Sequence, residues 1–211
     1  METGLLYFAD PMCSWCWGFV PTMKQLRERF DTETPIRLFV GGLATGIDKP
    51  LGNNGKKEIE SHWREVAHLT GQPFDHEFFE RENFIYNSEM PSYAIVAVRN
   101  ANLNAGYFLE ALQRAFYEHN KDITDVATLV EIAGSVGLDK DSFAQQLAAP
   151  ETKLDAEKDF ELTKKLGLQG FPALLGMANN KIELLTMGYE SIDVIAPKVE
   201  AWIQQSQTTK Q

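Results

Sequence analysis

The chain has 211 residues, 44% of them hydrophobic, with a formal net charge of −10 and an isoelectric point near 4.9. That length and apolar content can build a sizeable core, as one domain or one domain interrupted by another, without disulfide staples. The acidic balance and the lack of any Lys/Arg cluster exclude nucleic acid as a partner, because binding phosphates requires clustered cations.

At the N-terminus, Met1-Glu2-Thr3-Gly4 carries an acid and no base ahead of a short apolar run. This fits neither a secretory signal nor a membrane span, and the expectation is a cytoplasmic protein. Leu5 to Ala9 is continuously apolar and ends at Asp10-Pro11, the pattern of a central strand buried on both faces. From Ser14 to Phe30 apolar residues recur about once per turn, which predicts a helix, with a kink at Pro21. Pro35 to Val40 reads as a second strand closed by Gly41-Gly42, a pair that ends the strand and can border a groove.

The middle of the chain is different in kind. Helices are expected over Glu58–Thr70, Ser92–Ala101, Tyr107–His119, Asp125–Val136 and Lys140–Ala149, and no convincing strand occurs. A further amphipathic helix, Glu151 to Leu166, ends at Gly167. Ala173–Met177 and Lys181–Met187 then form a hairpin around Asn179-Asn180, since asparagine tolerates positive φ in a tight turn. Ser191–Gln204 is the last helix despite Pro197, and Gln205 to Gln211 reads as a frayed polar tail.

The fold class is therefore α/β: a mixed four-stranded sheet with an inserted all-helical subdomain. Its first part spans residues 1–45, the insertion 46–150 and the second part 151–205, with a polar tail at 206–211. A right-handed crossover makes the first two strands parallel, and the hairpin makes the last two antiparallel.

Both cysteines lie in one unit, Cys13-Ser14-Trp15-Cys16, where the first strand gives way to the first helix. A sulfur at a helix N-terminus meets unpaired N–H groups and the positive end of the macrodipole, which favour its anion. Cys13 would be the exposed nucleophile, and Cys16, one turn deeper, could attack a mixed disulfide on Cys13. Half a zinc site is the competing use, but the candidate partners His62, His68, His76 and His119 are scattered. A buried pair without chemistry is the other. Asp10 either caps the turn into the helix or opposes ionisation of the nucleophile through its charge. Trp15 is expected to offer a contact surface, and Met12, Trp17 and Phe171 add apolar area around the pair, Trp17 more readily as core. Pro172 cannot donate to a ladder and must stand at a strand start or edge.

The segment from Phe8 to Gly18, the long helical insertion and Gly170-Phe171-Pro172 together resemble the DsbA-like thioredoxin-fold proteins of the FrnE-type cytoplasmic branch. The resemblance implies a thioredoxin-like fold and a disulfide oxidoreductase or isomerase, with Cys13 as nucleophile, Cys16 as resolving thiol and Pro172 as a cis-proline packed on the pair. Its partners would be protein or peptide disulfides, with glutathione as a further candidate and no membrane; no cofactor or metal is implied. Secreted DsbA enzymes carry histidine where this chain has Trp15, so a weaker oxidant is expected, suited to reduction or isomerisation. Two alternatives stand beside this reading. One is a glutathione-dependent isomerase or transferase like the kappa-class and hydroxychromene-carboxylate enzymes, which typically place serine at the Cys13 position. The other is a chaperone-like peptide binder.

Overall fold

The computed structural model describes residues 3–32 and 34–208. Strand β1 (Gly4–Ala9) is buried along its whole length. It pairs in parallel with β2 (Ile36–Val40) and antiparallel with β3 (Ala173–Ala178), which pairs antiparallel with β4 (Lys181–Met187). The order β2-β1-β3-β4 is a thioredoxin-like mixed sheet with β1 at its centre. Helix α1 (Ser14–Phe30) makes the crossover from β1 to β2. Asn179 and Asn180 close the β3–β4 hairpin at φ of 53° and 59°.

Between β2 and β3 stand α2 (Asn53–Thr70), a 3-10 turn (His76–Glu80), α3 (Glu89–Asn100), α4 (Ala105–Tyr117), α5 (Val126–Ser135), α6 (Lys140–Ala148) and α7 (Pro150–Lys165). Helix α8 (Ile192–Thr208) completes the fold. Among the described residues no helix is long and apolar enough to cross a membrane.

Several boundaries depart from expectation, each for a local reason. Helix α2 starts at Asn53 rather than Glu58: extended Gly52 is its N-cap, and the first turn is made of the poor helix formers Asn53, Asn54 and Gly55, which local propensity assigns to a loop. Helix α4 starts at Ala105, two residues early, since the Asn104 side chain accepts the Tyr107 N–H at 2.9 Å. The expected frayed tail is helical to Thr208, with Ser206 buried and its hydroxyl donating to the Ile203 carbonyl at 2.8 Å. The rest of that tail lies outside the described residues. The 3-10 turn falls where no element was expected; Asp75 caps it by accepting the Glu77 N–H at 3.0 Å.

Two aromatic cores meet at α1. In the insertion, Trp63 is ringed by Phe74, Phe78, Phe79, Phe116 and Tyr117, with centroids 4.8 to 5.9 Å away. Under the sheet, Gly176 makes room for Trp202, whose Cε2 would lie 2.1 Å from an added Cβ. Trp17 joins the insertion core: it stacks on Tyr117 at 6.2 Å and donates its indole N–H to the Pro73 carbonyl at 3.0 Å. The outer edge of β2 is covered by a half-buried ion pair. Arg99 of α3 donates to the Leu38 carbonyl at 3.0 Å and to Asp159 of α7 at 2.6 Å, and Asp159 accepts the Val40 N–H at 3.0 Å. An edge occupied in this way is not open for pairing with another chain.

Pro21 lies inside α1 and cannot donate to the Trp17 carbonyl four residues back. That carbonyl is not wasted: the Gln72 side-chain amide, from the segment after α2, donates to it at 2.9 Å. Replacing Gln72 by Ala should therefore orphan a half-buried acceptor. We expect a loss of about 1–2 kcal/mol in urea-induced unfolding, and an unchanged midpoint would show the contact to be incidental.

Candidate active site

Helix α1 begins on a sulfur. Cys13 is the N-cap, extended at φ −91° and ψ 111°, and its Sγ accepts the Cys16 N–H at 3.3 Å. Its carbonyl accepts the Trp17 N–H at 3.1 Å, so the helix starts one residue after the thiol. Across the sheet, the Cys13 thiol donates to the Phe171 carbonyl at 3.5 Å. The Phe171–Pro172 peptide bond is cis, and the Pro172 carbonyl accepts the Gly188 N–H at 2.7 Å. Three loops thus converge: the cysteine turn, the segment before β3 and the segment after β4.

The two cysteines occupy unequal environments. Cys13 keeps 5% of its surface and Cys16 none, which corrects the expectation of an openly exposed nucleophile; the thiol meets solvent over a small area only. Burial, and then the hydrogen bond and charge of Cys13, push the Cys16 thiol well above its ordinary range, so it stays protonated.

Other expectations about the surroundings change. Met12 is only 1% exposed and Phe171 8%, so neither side chain offers the apolar surface expected of it. Met12 instead gives its carbonyl to the Tyr86 hydroxyl, and the Phe171 ring fills the space over Gly41. Trp17 is core. Trp15 is the partly exposed aromatic of the turn, 6.3 Å from the ring of Tyr189 in the segment after β4. Among the described residues no three His, Cys, Asp or Glu side chains converge to hold a metal ion.

Asp10 does not cap α1, since Cys13 does. Its carboxylate accepts the Met12 N–H at 2.9 Å, the Leu43 N–H at 2.8 Å and the Ser88 hydroxyl at 2.8 Å. Asp10 and the Gly41-Gly42 loop could be noticed in the sequence by position, but Ser88, Tyr86 and Gln113 could not: nothing local marks residues that reach the turn from the insertion. Gln113 of α4 donates to the Asp10 carbonyl at 3.3 Å.

Two substitutions test this arrangement. An added Cβ on Gly41 would lie 2.4 Å from the Phe171 ring, whose backbone carbonyl meets Cys13. Gly41→Ala should cost about 1–3 kcal/mol of stability and slow alkylation of Cys13; normal values of both would dismiss the contact. Burial raises Asp10 from its ordinary value of 3.8 to about 6, against the opposing hydrogen bonds from Met12, Ser88 and Leu43. The folded chain therefore holds this proton where the unfolded chain has lost it, so the group's contribution to stability is complete below pH 3.8 and is lost as pH rises through about 6. Relative to Asp10→Asn, wild-type stability should fall by about 2 kcal/mol between pH 4 and 7. A difference independent of pH in that window would contradict this.

Known proteins share this fold. A thioredoxin family model matches residues 6–196. The crystal structure of a candidate protein disulfide isomerase from Nitrosomonas europaea is 32% identical, with a TM-score of 0.90 over 97% of this chain and 99% of that one. The cytosolic disulfide reductase DsbM from Pseudomonas aeruginosa, 23% identical and also solved with glutathione, has the same fold at a TM-score of 0.76 over 98% of both chains. Among curated sequences, the ClpXP adapter protein SpxH of Halalkalibacterium halodurans is 28% identical over 178 residues, or 82% of this chain. The chain spans only 58% of that relative's length. With the model covering nearly all of its length and its cysteines at the strand-to-helix turn, the chain belongs to the thioredoxin family, with the DsbA-like oxidoreductase fold.

Proposed function

We propose that the chain is a dithiol–disulfide oxidoreductase, a disulfide reductase or isomerase acting through a mixed disulfide at Cys13. The observation that carries this is the asymmetry of the pair: a marginally accessible Cys13 at the helix N-cap, facing the Phe171 carbonyl, over a fully buried Cys16. The Cys13 thiolate attacks one sulfur of a substrate disulfide, the substrate S–S bond breaks, and the leaving thiolate takes up a proton. Cys16 then gives up its proton and attacks Cys13, releasing the second substrate thiol. Two electrons pass to the substrate and a Cys13–Cys16 disulfide remains. In isomerisation the substrate's own free thiol displaces Cys13 instead, and no net electrons flow.

Trp15 and the backbone around Phe171 and Pro172 are the substrate-facing groups of this reading, and peptide or protein disulfides are the substrates. The likeness to the cytosolic reductase solved with glutathione supports glutathione as reductant and the cytoplasm as compartment. The SpxH relatives favour a second reading, a protein-binding adapter that would not need the thiols.

Insulin reduction by glutathione and refolding of scrambled ribonuclease separate these readings. Wild type should be active, Cys13→Ser should lose at least about 100-fold, and Cys16→Ser should accumulate a mixed disulfide. Inactive wild type in both assays would sink the oxidoreductase reading, and glutathione-linked turnover undiminished in Cys16→Ser would move it to the single-thiol isomerase class.

A further inference from the structure

Asp10 bears a charge that the exchange steps leave unused. Its side chain is completely buried, and among the described residues its hydrogen-bond partners are neutral: the Met12 and Leu43 amides and the Ser88 hydroxyl, with the Gly42 amide beside them. A buried carboxylate held only by neutral donors is costly, and its position depends on every one of them. Those donors come from separate parts of the chain. Met12 is in the cysteine turn, Leu43 is in the loop after β2, and Ser88 is the N-cap of α3 in the insertion. Ser88 extends the connection, because its hydroxyl oxygen accepts the Ala44 N–H at 3.2 Å and its own N–H donates to the Ala44 carbonyl at 2.8 Å. On its other side, the Asp10 carbonyl accepts the Cys13 N–H at 3.2 Å. One residue therefore lies between the head of α3 and the backbone that carries the reactive sulfur.

We propose that Asp10 is the positioning residue of the dithiol: by binding Ser88 it ties the helical insertion to the turn bearing Cys13, and so sets how readily Cys13 and Cys16 close into a disulfide. The proposal deepens the oxidoreductase reading and rests on it for its importance, but not for its test. Closure brings the two sulfurs to about 2 Å, and a turn whose backbone is already fixed has less freedom to lose on the way. Release of Ser88 frees the loop after β2 and the turn together, which makes closure less favourable.

The equilibrium with glutathione measures this directly. Oxidised glutathione takes two electrons and two protons from the dithiol as the Cys13–Cys16 bond forms, and leaves as two glutathione thiols. The whole chain is equilibrated in glutathione buffers at pH 7 as wild type, Ser88→Ala, Asp10→Asn and the double variant, with the thermal midpoint recorded for each. Ser88→Ala should lower the closure constant about threefold or more, the net worth of one hydrogen bond, and the double variant should match Asp10→Asn, because Ser88 acts through Asp10. If Asp10→Asn does not fold, Ser88→Ala decides alone. A closure constant within threefold of wild type for Ser88→Ala, even with a lowered thermal midpoint, would mark the contact as merely structural and overturn the proposal, as would effects that multiply in the double variant. Insulin turnover by wild type, measured in parallel, keeps the two readings apart: its absence would remove the enzymatic role and leave the closure constants to judge Asp10.

Discussion

A sulfur stands where a helix ordinarily begins on oxygen. Ser, Thr, Asp and Asn dominate N-caps because a hard oxygen pairs well with the free N–H groups of the first turn. Cys13 puts a larger, weaker acceptor there, 3.3 Å from the Cys16 N–H. The cap therefore contributes less to holding the helix. The start of α1 must then be fixed by other means. The Cys13 N–H to Asp10, the Trp17 N–H to the Cys13 carbonyl and the Trp17 indole to Pro73 supply that anchorage.

The same geometry explains why two cysteines one turn apart differ so much. Cys13 lies at the edge, with the Phe171 carbonyl opposite, whereas Cys16 turns inward among buried residues and loses all its solvent. Desolvation then keeps Cys16 neutral. A neutral Cys16 avoids the repulsion that two adjacent thiolates would suffer.

Much of this was legible in the chain itself, because it is written in local patterns. A continuous apolar run bounded by Asp10-Pro11 marked β1 as central, the paired asparagines marked the hairpin, and Cys-x-x-Cys at a strand-to-helix junction marked the site. What escaped is non-local or counter-propensity. The first turn of α2 contains Asn53, Asn54 and Gly55, which local preference assigns to a loop. Met12 and Phe171 are apolar residues beside the Cys13 sulfur, and only the tertiary fold decides that their side chains point inward while their carbonyls do the bonding. Asp10 shows the limit most clearly. A capping role was reasonable from its position, yet its donors include Leu43 and Ser88, far along the chain, and no periodicity reports such a pairing.

Those distant donors also change what the helical insertion is for. Had it been a lid resting on a finished thioredoxin core, its contacts with the sheet domain would be apolar and replaceable. Instead its polar groups satisfy acceptors of the segment around the cysteine turn: Gln72 serves the carbonyl that Pro21 strands, Gln113 the carbonyl of Asp10, Tyr86 the carbonyl of Met12 and Ser88 the carboxylate of Asp10. Each of these acceptors is buried or nearly so, and leaving one unpaired costs more than forming it gains. Separating the insertion from the sheet would strip several partners from one short stretch of chain at once, so the cysteine turn and the insertion are bound together by hydrogen bonds from residues up to a hundred positions away.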